Sequence, residues 1–310
     1  LNGGDDIDTA YYYSSVAAVT VNLAAGTGTG GDAEGDTLVD IEYVVGSNTG
    51  SDVLIGNGLA NYLGGQGGND TLIGGLGADQ LIGGTGDDVS YYYGSVGAVN
   101  VNLATGVGLG GEAQGDSLTS IEFVVGSNTG NDGLTGNGVI NYLAGQGGDD
   151  TIDGGGVIVP NVMTQGDSLD GGGGTDTLSY ASSLYTVVVL MEFASATSGI
   201  AWNGTSADLM INFENLTGSS HNDVLLGNSG ANLINGGAGT DSIYGLGGAD
   251  TFHFDALETD VIVDFEDGID HISINSSVAT SFSDFTVYGN GTHLFAFVLN
   301  SNPSDLIIVQ

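Results

Sequence analysis

Behind each of its glycine-rich turns, this sequence places an acid or its amide at nine-residue intervals. Gly65-Gln66-Gly67-Gly68-Asn69-Asp70-Thr71-Leu72-Ile73 is followed by Gly74-Gly75-Leu76-Gly77-Ala78-Asp79-Gln80-Leu81-Ile82, then by Gly83-Gly84-Thr85-Gly86-Asp87-Asp88. A short fixed period is the signature of coils stacked on one another. The phase of Asp70 also holds Asp52, Asn61, Asp79 and Asp88, then Asp132, Asn141 and Asp150. It continues at Asp167 and Asp176, and at Asp223, Asn232, Asp241 and Asp250. Two residues beyond each acid sits an apolar side chain: Leu54, Leu63, Leu72 and Leu81, then Leu134, Leu143 and Ile152, then Leu169 and Leu178, then Leu225, Ile234, Ile243 and Phe252. These apolar triplets are too brief for helices and are bounded by glycine, so they read as short strands. Two nonapeptides then form one coil, and residues 18 apart stack. Asp52, Asp70 and Asp88 fall on one edge, Asn61 and Asp79 on the other, with a thin apolar core between two strand rows.

Such a coil has a charge problem. The 310-residue chain contains 38 acidic residues and no Lys or Arg, for a formal charge of −38. Self-repulsion opposes compaction, yet the hydrophobic content of 40% and the regular Leu, Ile and Val argue against a disordered chain. A cation from outside must supply the missing charge, and a divalent metal does so most economically. Hard cations take about six to eight oxygens, mixing carboxylate and carbonyl. Glycine turns let carbonyls point inward, and two stacked turns provide what one cannot. The lack of basic residues excludes conventional nucleic-acid binding and disfavours anionic membrane surfaces. No apolar run reaches membrane-spanning length, so no membrane insertion is expected. There is no Cys, which leaves stapling to metal.

A longer repeat is superposed on the short one. Tyr11-Tyr12-Tyr13 returns 80 residues later as Tyr91-Tyr92-Tyr93, and Ile41-Glu42-Tyr43-Val44-Val45-Gly46-Ser47-Asn48-Thr49-Gly50 returns at the same offset as Ile121-Glu122-Phe123-Val124-Val125-Gly126-Ser127-Asn128-Thr129-Gly130. A diverged third copy carries Asp176-Thr177-Leu178-Ser179-Tyr180 and Phe213-Glu214-Asn215-Leu216. Each copy opens with a strand-like spacer, such as Val19-Thr20-Val21-Asn22-Leu23, and an acidic loop such as Gly110-Gly111-Glu112-Ala113-Gln114-Gly115-Asp116. The division expected is 1–88, 89–168 and 169–251 for the three copies and 252–310 for an aromatic, strand-like C-terminal cap. An irregular insert from Val157 to Gln165 reads as a surface loop. The chain opens at Leu1-Asn2-Gly3-Gly4, inside a repeat and without a signal peptide, so further chain is expected upstream.

These residues resemble the RTX (repeats-in-toxin) calcium-binding β-roll proteins, whose consensus is Gly-Gly-x-Gly-x-Asp-x-apolar-x. The resemblance implies an all-β fold: a right-handed parallel β-roll or β-helix solenoid with a C-terminal β-rich cap. It implies several calcium ions, held by Asp8, Asp52, Asp70, Asp79, Asp88, Asp132, Asp150, Asp167, Asp176, Asp223, Asp241 and Asp250 with the backbone carbonyls of Gly75, Gly77, Gly84, Gly86, Gly237 and Gly239. It also implies type I secretion and folding outside the cell. Asn61, Asn141 and Asn232 depart from the consensus, and an amide brings no charge, so calcium there is expected to be weak or absent. Gly133 and Thr135 weaken the second array. Asp5-Asp6 makes the turn before Asp8 irregular.

No catalytic motif accompanies the repeats. His221, His253, His271 and His293 lack ligand spacing, and neither His-Glu-x-x-His nor Gly-x-Ser-x-Gly occurs. Carboxylate pairs of the kind glycosidases use are not excluded by residue type, but their register with the turns favours metal. Asn203-Gly204-Thr205 and Asn290-Gly291-Thr292 match glycosylation sequons and are read as coincidental. Asp305-Leu306-Ile307-Ile308-Val309-Gln310 reads either as a secretion signal or as a final strand. Two functions stay open: a non-enzymatic, calcium-dependent extracellular structural protein that associates with itself or with cell-surface components, and the folding and secretion module of a larger secreted enzyme or toxin.

Overall fold

The computed structural model describes residues 1–155, 164–195, 198–202, 206–255 and 260–275, together with the backbone of 285–289, 295–299 and 302–309. The chain divides into two compact units, Leu1–Thr151 and Ile152–Gln310.

In the first unit the strands alternate between two sheets. Thr9–Tyr11, Tyr43–Val45, Tyr62–Gly67, Gln80–Thr85 and Ser117–Thr119 pair in parallel in that order. Thr20–Asn22, Val53–Ile55, Thr71–Ile73, Val89–Tyr91, Phe123–Val125 and Tyr142–Ala144 form the second parallel row. Leu54 lies opposite Leu72 and Leu63 opposite Leu81, as an 18-residue coil requires. The middle residue of each triplet points inward and its neighbours are half-exposed. This is the period-two alternation of a pleated strand. Leu54, Leu63, Leu72, Leu81 and Leu143 are all 0% exposed, as are Val21, Val44 and Val124, so both sheets contribute to one thin apolar core.

The spacers interrupt this pattern with antiparallel hairpins. Thr20–Asn22 pairs with Thr27–Thr29, and Asn100–Asn102 with Val107–Leu109. A single 3₁₀ turn follows each, at Gly31–Ala33 and Gly111–Ala113. The first hairpin extends the second sheet and the second hairpin extends the first sheet. One long repeat therefore contains a half-integral number of coils, and the same motif emerges on alternate sheets.

The second unit repeats the scheme. Thr177–Ser179, Asn215–Thr217, Leu233–Asn235, Thr251–Phe254 and His271–Ile274 make one parallel row. Val188–Ser195, Val224–Leu226, Ser242–Tyr244 and Asp260–Ile262 contribute to the other. The third spacer is a larger antiparallel element of Val188–Ser195, Ser198–Trp202 and Ser206–Ile211. Phe285–Gly289, Phe295–Leu299 and Asn302–Val309 form an antiparallel meander whose last strand runs parallel to Asp260–Ile262. The protein is thus a nearly all-β, parallel β-roll solenoid with a β-rich C-terminal segment. No helix among the described residues is long and apolar enough to cross a membrane.

The expected insert loop lies largely outside the described residues, and its end is corrected: Thr164 and Gln165 open the strand Thr164–Asp170, which pairs with Ser206–Ile211. Both sequons, Asn203-Gly204-Thr205 and Asn290-Gly291-Thr292, and His293 also lie outside the described residues.

A core this thin leaves little to fill the space of a deleted side chain. Leu72→Ala should lower the stability of the folded protein by ~2–5 kcal/mol, read as a drop in thermal midpoint by circular dichroism. Val16→Ala, at a side chain 96% exposed, should change it by no more than about 0.5 kcal/mol.

Candidate metal centres

The nine-residue phase brings its acids into ladders. Asp52 donates its backbone N–H to Asp70 Oδ1 at 2.7 Å, and Asp70 in turn donates to Asp88 Oδ1 at 2.8 Å. On the opposite edge Asn61 donates to Asp79 Oδ1 at 2.7 Å. The second array has Asp132 to Asp150 at 2.7 Å, and the third has Asp223 to Asp241 at 2.8 Å and Asn232 to Asp250 at 2.8 Å. Each carboxylate thus caps the backbone of the preceding coil through one oxygen. Asp52, Asp70 and Asp88 stack on one edge and Asn61 and Asp79 on the other, as expected, and these edges are buried. Asp70, Asp79 and Asp88 are at most 1% exposed, and the other in-phase acids from Asp52 to Asp250 are at most 2% exposed. Asp8 is half-buried and donates its N–H to Glu42 Oε2 at 3.1 Å.

The second oxygen decides what these sites can hold. Oδ2 of Asp8, Asp70, Asp79 and Asp88 is buried and has no hydrogen-bond partner among the described residues. A buried carboxylate oxygen without a donor is costly, and a hard cation removes that cost. The turns offer further oxygens. Gly75, Gly77, Gly84, Gly86, Gly237 and Gly239 all have positive φ, between 87° and 142°. At Gly84 and Gly86 a Cβ would collide with the carbonyl oxygens of Gln66 and Gly68, so one turn's carbonyls are directed at the next. Among the described residues no three His, Asp or Glu side chains converge. The available donor set is therefore oxygen only, with carboxylates arriving singly along the ladder and carbonyls making up the remainder. That chemistry fits calcium rather than a softer metal.

Not every in-phase acid is alike. Asp52, Asp132 and Asp223 have both oxygens occupied by protein donors. The amides at 61, 141 and 232 have a structural cause that the sequence pattern did not reveal. Asn61 Nδ2 donates to the Glu42 carbonyl at 3.1 Å, Asn141 to that of Glu122 at 3.1 Å, and Asn232 to that of Glu214 at 2.7 Å. The coil beneath presents an acceptor here, so an amide is required where an aspartate would repel.

Several ladder members lie outside the nine-residue phase and were missed. Glu42, Glu122 and Glu214 accept the N–H of Asp8, Asp88 and Asp176 at 3.1, 3.0 and 2.8 Å. Asp116 and Asp208 accept from Asp79 and Asp167, at 2.9 and 3.0 Å. Asp260 and Asp270 accept from Asp241 and Asp250, at 2.9 and 3.0 Å. The one signal for them was the recurrence of Ile41-Glu42 as Ile121-Glu122. Tyr12, Tyr92 and Tyr180 donate their hydroxyls to Asp36, Asp116 and Asp208 at 2.8, 3.0 and 3.0 Å. Tyr92 and Tyr180 therefore hold ladder acids, and Tyr12 makes the equivalent bond to Asp36.

Burial dominates the electrostatics. Asp70 is pushed up to about 7, first by desolvation and further by the charges of Asp52 and Asp88, against the N–H bond from Asp52. Asp79 is likewise raised to about 7 by burial, with Asp116 adding to it and the Asn61 N–H opposing. Burial also raises Asp88, Asp132 and Asp250.

The sequence matches the RTX calcium-binding nonapeptide repeat in four copies, over residues 55–90, 164–182 and 217–252. Those spans contain Asp70, Asp79, Asp88, Asp167, Asp176, Asp223, Asp241 and Asp250. The repeats bind calcium, as several ions. A comparison with curated proteins found no match.

A carboxyl whose pKa is higher folded than unfolded holds its proton more tightly in the fold. Without metal, stability is therefore greatest below the unfolded value near ~4 and is lost as pH climbs toward about 7 for Asp70 and Asp79. In chelator, the far-UV β signal should be stronger at pH 5 than at pH 8. With excess calcium the two should be equal. A chelated signal that strengthens with rising pH would contradict the burial of these acids.

Proposed function

We propose that this RTX-repeat protein is a calcium-dependent extracellular structural protein, of the kind found in a surface layer, filament, matrix or adhesin stalk, which folds after leaving the cell. The observation that carries the reading is the set of buried aspartate oxygens without donors at Asp8, Asp70, Asp79 and Asp88, in a chain that has no Lys or Arg. Such a chain cannot neutralise its own interior. At low calcium, repulsion and desolvation keep the carboxylates in water and the chain unfolded, which suits export.

Asp70, Asp79 and Asp88 supply ligands in the first array, with the carbonyls of Gly75, Gly77, Gly84 and Gly86. Asp241 and Asp250 do so in the third, with Gly237 and Gly239. Asp8, Asp150, Asp167 and Asp176 complete the set. Bound calcium supplies the positive charge that the chain lacks. The stacked turns exist only in the fold, so binding free energy is folding free energy. Secretion is supported by the RTX match, since such repeats are typical of proteins that bacteria export. A structural role is supported by repeats that recur in three blocks along the chain and by the lack of a catalytic motif.

Two measurements test this. Asp70→Ala should shift the calcium midpoint of folding upward, with reduced cooperativity, in a titration followed by far-UV circular dichroism. Unchanged calcium dependence would refute the ligand assignment. Electron microscopy and light scattering of the calcium-loaded protein should show ordered polymers. Dispersed monomers would instead favour a folding and secretion module of a larger secreted protein.

A further inference from the structure

Three of the in-phase aspartates differ from the rest in a way that repeats in all three copies. Asp52 Oδ1 accepts the Val19 N–H at 2.8 Å and the Ser47 hydroxyl at 3.0 Å, while Oδ2 accepts the Ser47 N–H at 2.6 Å. Asp132 does the same with Val99 at 2.8 Å and with the Ser127 hydroxyl and N–H at 2.9 and 2.5 Å. Asp223 does so with Val187 at 2.8 Å and with the Ser219 hydroxyl and N–H at 2.9 and 2.6 Å. Each turn begins Gly-Ser, at Gly46-Ser47, Gly126-Ser127 and Gly218-Ser219. Other turns begin Gly-Gly, Gly-Gln, Gly-Asn or Gly-Leu. All three aspartates are at most 2% exposed.

A carboxylate oxygen that accepts two hydrogen bonds has little left to offer a cation, and a dehydrated divalent ion would have to displace N–H donors fixed by the fold. We infer that Asp52, Asp132 and Asp223 are metal-free joints that fasten each spacer to the first turn of its array, and that calcium is held by the other in-phase acids. The donors Val19, Val99 and Val187 lie just before or beside the inner spacer strands, 33 to 36 residues upstream of their acceptors. Each joint also starts a ladder, since Asp52, Asp132 and Asp223 pass their own N–H to Asp70, Asp150 and Asp241. Their job is positional: they fix the register in which the returning chain meets the array after an excursion of non-repeat length.

This inference rests on the calcium reading above, and the test separates the two. Bound ions per chain are counted by equilibrium dialysis with metal analysis, and the calcium midpoint is read by circular dichroism, for the whole chain and for Asp52→Asn, Ser47→Ala and Asp70→Asn. Asp70→Asn should lose an ion. Asp52→Asn and Ser47→Ala should keep the full count while the midpoint rises about 3–10-fold, the scale of one lost buried hydrogen bond. Loss of an ion from Asp52→Asn as well as from Asp70→Asn overturns the joint while leaving the calcium reading intact. A full count in Asp70→Asn overturns both. Should Asp52→Asn fail to fold, Ser47→Ala decides: a full count with a raised midpoint supports the joint, and no change in either overturns it.

Discussion

The in-phase aspartates of this chain are buried, although many of its other acids face solvent. The central constraint is burial of carboxylates without a single Lys or Arg to meet them. One oxygen of each acid is satisfied by the backbone of the coil below, which ties the polymer's periodicity to its electrostatics. The other oxygen is what makes the fold conditional. A coil spacing that allows the N–H contact also brings successive aspartates into mutual repulsion, as Asp52, Asp70 and Asp88 show. The same geometry that specifies the roll therefore also works against it.

The ladder explains features that look unrelated along the chain. Where the coil is regular, the capping acid comes from 18 residues ahead. Where a spacer intervenes, the next coil still has to provide an acceptor, and it does so from 34 to 41 residues ahead. Glu42, Glu122 and Glu214 fill the slot from shortened turns that pass through a left-handed residue, Asp40, Ser120 or Asn212, at φ of 52° to 59°. The longer side chain of glutamate replaces the reach that the full turn gives aspartate. Asp116 and Asp208 fill it from spacers and take a tyrosine hydroxyl on the second oxygen. One requirement, an acceptor above every in-phase N–H, is met by several local solutions.

How much of this was legible follows from which residues obey the short period. The parallel strands, the buried leucines and the positions of the in-phase acids were readable because side-chain alternation and the nine-residue phase agree at Leu54, Leu72 and Asp70. The depth of the acids was not readable: a Gly-Asp turn looks the same whether its carboxylate faces water or lies 1% exposed, as Asp70 does. The antiparallel pairing of Thr20–Asn22 with Thr27–Thr29 was hidden because alternating Val-x-Val marks a strand without giving its partner. The off-phase ladder members were hidden because their spacing is set by spacer length, which no period encodes. Asn61 shows the limit most clearly. Its identity is dictated by the Glu42 carbonyl beneath it, 19 residues away, a backbone group that the pattern of side chains does not display.

The amides and the shortened turns together divide the ladder. A row of full turns, such as 65–70 upon 83–88, ends where Ser120-Ile121-Glu122 replaces a glycine-rich turn, and the next coil resumes with Asn141 rather than an aspartate. The same sequence of events occurs at Asp40-Ile41-Glu42 below Asn61 and at Asn212-Phe213-Glu214 below Asn232. At each such point an Asn amide follows the Glu carboxylate, so the density of buried charge falls. Repulsion is thereby confined within short blocks instead of accumulating along an uninterrupted column. A continuous column of aspartates would require every inter-turn position to be neutralised before any coil was stable. The amide at 61, 141 and 232 removes one buried charge at each junction and meets the carbonyl beneath it, so these departures from the nonapeptide pattern serve the fold rather than degrade it.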